Sequence, residues 1–196
     1  MPQIEPGEPD ELFAAARAGE RRGFAALVRL HQGRVFSIAL RMLMDRALAE
    51  DLAQEVFLQL HHSLRSIESH QHLVFWLRQV TARRAIDRLR QEHRGRLVSL
   101  DESEPLLDSA VAGGVTGAED AEDTLLHAHL RELIGQLAPM ARAVLLLRYQ
   151  EDLDPVEIAR ALGIPVNTVK SHLKRSLNTL RGRLAGVAPV DRGDQA

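Results

Sequence analysis

The segment from Asp154 to Leu184 restricts the fold most, because it has the pattern of two helices joined by a glycine turn. Asp154 and Pro155 form a helix start, since an Asp side chain accepts hydrogen bonds from free backbone amides and proline is tolerated at the first helical position. Gly163 supplies the left-handed backbone position at which such a helix ends. Apolar residues at helical spacing form the inner faces of both helices: Val156, Ile158, Ala159, Leu162, Val166, Val169, Leu173, Leu177 and Leu180. The segment therefore predicts a helix-turn-helix whose second helix is free to enter a major groove.

The charge of this segment indicates its partner. Between Ile158 and Val190 there are six Lys or Arg residues and no Asp or Glu, although the whole chain has a formal net charge of −2. A glycine-turned helix pair is common in all-α proteins and does not by itself predict DNA binding. The one-sided charge does favour it, because a polyanion attracts such a surface.

The composition predicts an all-α protein. Aromatic residues make up only 4% of the 196 residues, so strand formers are scarce, whereas Ala, Leu, Arg, Glu and Gln dominate. The chain has no Cys, which excludes disulfides and Cys-containing zinc sites and fits a reducing compartment. No apolar run approaches the roughly 20 residues that span a membrane, and the acidic, proline-rich start does not resemble a signal peptide. We therefore expect a cytoplasmic protein without membrane insertion.

An acidic segment divides the chain. Between Leu97 and Asp123 there are eight acidic residues and no Lys or Arg, together with the glycine-rich run Ala112–Gly117. This composition is typical of a linker. We therefore predict two helical domains, residues 10–92 and 124–184, joined by a long acidic flexible linker over residues 93–123.

A small acidic patch lies on the second predicted helix of the first domain, Ala47 to His62. Asp45 is the expected cap of this helix, and its apolar stripe recurs every four residues as Leu48, Leu52, Val56 and Leu60. Asp51, Gln54 and Glu55 fall together at i, i+3 and i+4, away from that stripe. On spacing alone, ordinary surface acid explains this patch.

The third predicted helix, Leu73 to Gln91, combines an aromatic residue with arginines. From Trp76 to Arg96, seven Arg stand against Asp87 and Glu92. One helix face carries Trp76, Val80, Arg83, Arg84, Asp87 and Arg88. Because rings stack on unpaired bases and guanidinium groups meet phosphates bidentately, this face fits a nucleic acid. Two other interpretations stay open, a core position for Trp76 and a solvated arginine face.

Catalysis is not predicted. The sequence has no phosphate-cradling glycine loop and no GxSxG motif. Six histidines in three close pairs invite a metal interpretation, but there is no HExxH helix and no carboxylate at partner spacing: His61, His62, His70, His72, His127 and His129. We therefore expect no metal, no cofactor and no catalytic residue. The absence of these motifs counts against the enzyme hypothesis, a His-based metal hydrolase.

Three sequence blocks together resemble the extracytoplasmic-function sigma factors, the small two-domain class of bacterial RNA polymerase specificity subunits. Residues 49–57, AEDLAQEVF, are similar to the family signature AEDLVQEVF. Phe75–Arg78 with Ala85–Asp87 and the following arginines resembles the WLxxIAxNxxxD segment. The closing LPxxxR, EIAxxLG and TVKSRL pattern is similar to Leu137–Pro139, Glu157–Ile164 and Thr168–Leu173. The blocks cover most of the chain in the family's order.

The resemblance implies a role for each surface. Asp51, Gln54 and Glu55 would contact the clamp helices of the largest subunit of core RNA polymerase. The −10 promoter element would be opened and held by Trp76, Arg83, Arg84, Asp87, Arg88 and Arg90, with the loop Arg65 to His72 accepting an extruded base. The −35 element would be read in the major groove by Thr168, Lys170, Ser171, His172, Lys174 and Arg175. The family also implies a linker that threads through the polymerase channel and an anti-sigma factor as a partner.

Four residues depart from the family pattern. Thr81 and Arg83 stand where Ala and Asn are usual, which predicts an altered −10 preference. Pro165 replaces a common capping Ser, which predicts a shifted start of the recognition helix, and His172 replaces a frequent Arg, which predicts a weaker, pH-dependent contact. The alternative hypothesis is a stand-alone helix-turn-helix regulator, which would carry a sensor domain first and bind DNA without polymerase.

Overall fold

The computed structural model describes residues 8–99 and 121–185, with side chains over residues 8–92 and 127–184. Within these ranges the chain forms eight α-helices, and a 3₁₀ turn at Leu64–Ser66 follows the third. The helices are α1 (Pro9–Arg17), α2 (Arg21–Leu43), α3 (Arg46–Ser63), α4 (His70–Ser99), α5 (Ala121–Gly135), α6 (Pro139–Tyr149), α7 (Pro155–Leu162) and α8 (Val166–Ala185). The predicted all-α class is confirmed. Residues 100–120 of the predicted linker lie outside the described residues.

Helix α2 is the centre of the first half of the molecule and packs against α1, α3 and α4. Its buried stripe has helical spacing and consists of Leu27, His31, Val35, Ile38 and Met42. The helix ends at Met44, whose φ of 59° lies in the left-handed region. Asp45 then caps α3 as predicted, because its Oδ1 accepts a hydrogen bond from the Leu48 amide at 2.9 Å.

Helix α4 is longer than the sequence pattern predicts and begins three residues earlier, at His70. Its inner side buries Leu73, Leu77 and Ile86 against the core. Thr81 is also buried, and its hydroxyl donates to the carbonyl of Leu77 at 2.6 Å. The unusual threonine therefore lies inside the protein with its polar group satisfied.

In the second half, α6 packs against α7 and α8, and its residues Ala141 to Leu147 are buried throughout. Leu133, Leu145 and Leu180 form a smaller apolar cluster between α5, α6 and α8. Of the residues expected on the inner faces, Val156 is exposed, at 53%, whereas Val166, Leu173 and Leu177 are half-buried. The prediction was wrong here because Val156 stands two residues before Ile158, and such residues point to opposite sides of a helix.

The two halves are in contact. Helix α4 packs against α6 and α7, and α2 packs against α6. A single apolar cluster includes Leu77 and Ile86 from the first half together with Leu147 and Ile158 from the second. Because these residues belong to one cluster, the helix-turn-helix lies directly against the arginine-rich helix α4.

Candidate nucleic-acid and polymerase interfaces

The helix-turn-helix is built as the sequence predicts. Asp154 Oδ1 accepts hydrogen bonds from the amides of Val156 at 2.7 Å and Glu157 at 2.8 Å, and Glu157 returns a carboxylate oxygen to the Asp154 amide at 2.8 Å. This capping box starts α7, and Gly163 ends it with a φ of 70°. The amides of Thr168 and Val169 donate to the Pro165 carbonyl, so α8 starts at Val166 directly after the proline.

The outer face of α8 presents basic and hydroxyl groups. Lys170, Ser171, Lys174 and Arg175 are exposed, whereas Thr168 and His172 are half-buried. A shallow depression of about 290 Å³ on this face is lined by Asn167, Thr168, Ser171, His172 and Arg175. Four of the six predicted residues, Thr168, Ser171, His172 and Arg175, therefore lie together on α8, whereas Lys170 and Lys174 are exposed outside this depression.

Two properties of this face suit base recognition. Among the side chains that the structure describes, no carboxylate pairs with Lys170, Lys174 or Arg175, so their charges are available to a ligand. Asn167, which the sequence reasoning missed, is exposed beside Thr168. An Asn side chain can contact adenine bidentately, and its position in the first turn after Gly163 was the available signal.

On α4, two of the predicted DNA-contacting arginines hold a residue of α3. Arg84 Nη1 donates to Glu55 Oε2 at 2.8 Å, and Arg88 Nη2 donates to Glu55 Oε1 at 3.1 Å. Arg84 Nε also donates to Gln59 Oε1 at 2.8 Å, and Arg88 Nη1 donates to the Leu48 carbonyl at 3.1 Å. The structure thus brings a predicted polymerase contact, Glu55, together with predicted −10 residues.

The remaining members of the acidic patch point to solvent. Asp51 and Gln54 are exposed, and Glu55 is half-buried between its two arginines. Leu58, one turn further along α3, is a large apolar side chain with 64% exposure. An exposed acidic group beside an exposed leucine is a surface that a protein partner can cover.

Other predicted −10 residues are dispersed along α4. Trp76 is half-buried and packs against the main core, so it combines a core position with a partly open ring. Asp87 and Arg90 are exposed and lie 3.9 Å apart between Oδ1 and Nη1. Arg83 points elsewhere, because its Nε donates to the carbonyl of Ala161 at 2.7 Å, at the carboxyl end of α7.

The loop before α4 is ordered by local hydrogen bonds. Ser69 Oγ accepts from the His72 amide at 3.1 Å, while Ile67 is buried and anchors the loop. His70, the first residue of α4, has its Nε2 3.0 Å from Nε2 of His31, which is only 5% exposed. Burial, the neighbouring His70 and Arg34 lower the pKa of His31 to about 4. The sequence reasoning missed His31, although its spacing places it on the apolar stripe of α2.

Neither a metal site nor a membrane span is found in the described parts of the chain. Within residues 8–99 and 121–185, no three His, Asp or Glu side chains are grouped so that they could hold a metal ion. None of the helices in those ranges is long and apolar enough to cross a membrane.

Two family models match the chain in the order that the three sequence blocks predict. The model described as "Sigma-70 region 2" matches residues 27–95, and the model described as "Sigma-70, region 4" matches residues 127–180. The first match covers α3 and most of α4, and the second covers the helix-turn-helix. A fold with these two regions defines a sigma-70 type subunit of bacterial RNA polymerase.

Comparison with individual relatives shows to which group of sigma-70 type subunits the chain belongs. The chain is 27% identical to the ECF RNA polymerase sigma factor SigW of Bacillus subtilis over 172 residues, covering 86% of this chain and 92% of the relative. It is 33% identical to the ECF RNA polymerase sigma factor SigE of Mycolicibacterium smegmatis over 161 residues, covering 81% of this chain and 60% of the relative. The chain belongs to the extracytoplasmic-function sigma factors, and it directs RNA polymerase in promoter-specific transcription initiation.

Solved structures share the fold. CnrH, in a complex with the cytosolic domain of CnrY, superposes with a TM-score of 0.62 at 20% identity and covers 91% of this chain and 99% of CnrH. The sigma factor RpoE of Bartonella quintana, in a complex with the anti-sigma factor NepR, has a TM-score of 0.63 at 22% identity and covers 86% of this chain and 98% of RpoE.

Proposed function

We propose that this sigma factor divides promoter recognition between α8 and α4 and binds core polymerase through the exposed acidic patch of α3. The observation that carries the proposal is the outer face of α8, where Lys170, Lys174 and Arg175 are exposed and face no carboxylate among the described side chains. Such a face is typical of a recognition helix, because it offers donors to guanine and phosphate without first breaking an internal ion pair.

For the −35 element, we assign the predicted set Thr168, Lys170, Ser171, His172, Lys174 and Arg175 and add Asn167. The capping box at Asp154 and the turn at Gly163 fix α7, and the buried Val169 fixes α8 against it. A rigid support lowers the entropy lost when long side chains meet base edges. Lys174 and Arg175 supply the strongest contacts in this scheme, since their donors pair with the acceptors of guanine.

For the −10 element, the proposed residues are Trp76, Arg83, Arg84, Asp87, Arg88 and Arg90. The half-buried ring of Trp76 can stack on an unpaired base while its core contacts hold it in place. Arg84 and Arg88 are bound to Glu55, so their engagement with phosphate requires an exchange of partners. The half-exposed position of these pairs makes that exchange inexpensive, at about 0–1 kcal/mol for each pair.

For core polymerase, Asp51, Gln54 and Glu55 form the proposed contact, with Leu58 beside them as an apolar neighbour. Binding to core fixes both DNA-contacting surfaces on one complex, so the second promoter contact becomes intramolecular. We further propose that the protein acts in the cytoplasm without catalysing a reaction itself, and that an anti-sigma factor binds it.

Asp51→Arg tests the polymerase contact with little risk to the fold, because Asp51 is exposed on α3. Association with purified core polymerase, measured by fluorescence anisotropy, should weaken at least tenfold through like-charge repulsion at the contact. Glu50→Arg is the matched control, since Glu50 precedes Asp51 on α3, is exposed, and pairs with Arg46 at 2.9 Å.

Equal weakening by both substitutions would indicate a general charge effect and would count against the assignment to Asp51. Unchanged binding of Asp51→Arg to core would refute the contact. Tight binding of the protein to duplex promoter DNA without core would instead support a stand-alone regulator.

A further inference from the structure

Two arginines of α4 converge on one carboxylate of α3. Arg84 Nη1 donates to Glu55 Oε2 at 2.8 Å, and Arg88 Nη2 donates to Glu55 Oε1 at 3.1 Å. Each guanidinium group therefore binds one oxygen of the same anion. Because two cations face one carboxylate, the three groups together keep a net positive charge. Among the described side chains, neither arginine pairs with a second carboxylate.

Each arginine is also held by a neutral group of α3. Arg84 Nε donates to Gln59 Oε1 at 2.8 Å. Arg88 Nη1 donates to the carbonyl of Leu48 at 3.1 Å. These two bonds do not involve Glu55, so they continue to hold the guanidinium groups if the carboxylate moves away. Arg84 and Arg88 thus form a preorganised pair of donors around a single anion position.

The position of the anion is open to solvent. The side chain of Glu55 is 42% exposed, and those of Arg84 and Arg88 are 39% and 26% exposed. Another anion can therefore reach both guanidinium groups once the carboxylate moves aside. Half-exposed ion pairs are weak, so the exchange of Glu55 for a second anion costs little free energy.

A phosphate of a nucleic-acid backbone is the anion that fits these donors. A carboxylate and a phosphate each present two oxygens to guanidinium groups, and arginine binds both in this way. Trp76 lies two turns earlier on α4 and is half-buried, so part of its ring is open. A single strand can therefore stack a base on Trp76 and place a backbone phosphate between Arg84 and Arg88.

We propose that Arg84 and Arg88 form a cradle for one backbone phosphate of the −10 strand, and that the carboxylate of Glu55 occupies this cradle as an internal competitor in the free protein. The inference rests on the function proposed above, which assigns both arginines to the −10 element. It adds the chemical group that the two arginines bind together and the side chain that the phosphate displaces. Glu55 therefore lowers the affinity of α4 for a single strand.

Fluorescence anisotropy with a labelled oligothymidine measures this competition in the whole chain without core polymerase. A strand of about 20 nucleotides is longer than the site that such surfaces cover. Glu55→Gln keeps the size of the side chain and removes its charge. Binding should tighten roughly threefold to thirtyfold, because two ion pairs no longer compete with the phosphate.

Glu50→Gln is the matched control for charge. Glu50 is exposed on α3 and pairs with Arg46 at 2.9 Å, so the substitution removes the same charge from the same helix without touching the cradle. Its affinity should change by less than about twofold, because salt screens an exposed charge that does not touch the ligand. Far-UV circular dichroism checks that each variant keeps its helix content.

The salt dependence shows whether a phosphate contact is gained. The slope of log affinity against log salt concentration should steepen by about 0.7 in Glu55→Gln, the value for one further phosphate on a single strand. Adding Arg84→Gln and Arg88→Gln to Glu55→Gln should remove the gain in affinity. Glu55→Ala should bind at least as tightly as Glu55→Gln, because a glutamine oxygen can still accept a hydrogen bond from one arginine.

Equal affinities of Glu55→Gln and Glu50→Gln would overturn the cradle, and so would a gain that survives the loss of both arginines. Either result leaves the proposed function standing if the wild-type protein still starts promoter-specific transcription with core polymerase. The expected gain, in a protein that starts no transcription with core polymerase, would support the cradle as a phosphate site and contradict the proposed function alone.

Discussion

The two basic helices α4 and α8 differ in what their charged groups contact. On α4, Arg78, Arg84 and Arg88 each donate to a glutamate, and Arg83 donates to two carbonyls of α7. On α8, the side chains of Lys170, Lys174 and Arg175 pair with no carboxylate in the part of the chain whose side chains are described. The difference teaches that clustered arginines in a sequence do not all serve a ligand, since some of them hold the protein together.

The largest expected effect is on the α8 side of this comparison. Lys174→Ala with Arg175→Ala should lower initiation at promoters with an intact −35 element by roughly thirtyfold or more, because each lost base contact costs about 1–3 kcal/mol. Run-off transcription with saturating core polymerase measures this loss of initiation. Arg181→Ala is the matched control, since Arg181 is exposed two turns further along the same helix.

An equal loss on templates that lack the −35 element would show that the double substitution acts through something other than direct readout. It would also mean that the exposed charges of α8 act elsewhere than on the bases of the −35 element.

A second prediction concerns the anchor of α4, the contact between His70 and the buried His31. The lowered pKa of His31, about 4 in the folded protein against an ordinary value of about 6.5, means that the unfolded chain takes up the proton first. The stabilisation of the folded protein by neutral His31 is complete above about pH 6.5 and is lost as the pH falls toward 4. Between pH 7.5 and pH 5, His31 should account for a loss of about 2 kcal/mol in the free energy of unfolding.

Urea unfolding at the two pH values, compared between wild type and His31→Gln, isolates this contribution. The glutamine keeps a hydrogen-bonding group toward His70 and cannot gain a charge, so its stability should depend less on pH. Identical pH dependence in the two proteins would show that His31 does not resist protonation, and α4 would then have no pH-sensitive anchor.

The smallest expected effect compares α4 and α8 by the free energy of unfolding alone. Arg84→Ala removes the bonds to Glu55 and Gln59 and should lower the free energy of unfolding by about 1 kcal/mol, because both pairs are half-exposed. Arg175→Ala should change it by less than about 0.5 kcal/mol, since no paired group is lost. Urea unfolding at pH 7.5 measures both, and equal changes would mean that the two helices do not differ in this way.

Local features of the fold could be predicted from the sequence because their causes are local. The cap at Asp45, the capping position of Asp154 and the turn at Gly163 each depend on a few adjacent residues, and all three are present. The apolar stripe of α3 was predicted for the same reason, because helical spacing shows which side of a helix is buried.

The contacts between distant helices could not be predicted in this way. Spacing placed Glu55 and Arg84 each on one face of its own helix, but it does not tell which faces meet. The bond from Arg83 to Ala161 joins residues 78 positions apart, and nothing local to either residue indicates it. Arg83 departs from the family pattern, and the structure gives this departure an internal role.

The most direct test of the central claim is run-off transcription by purified core polymerase on a library of randomised promoters, with and without this protein. We predict that transcripts appear only with the protein and that the selected templates share two spaced elements. With Lys174→Ala and Arg175→Ala together, selection for the upstream element should be lost while the downstream element is retained. Selected templates that share no upstream element even with the wild-type protein would contradict the claim that the exposed basic face of α8 reads DNA.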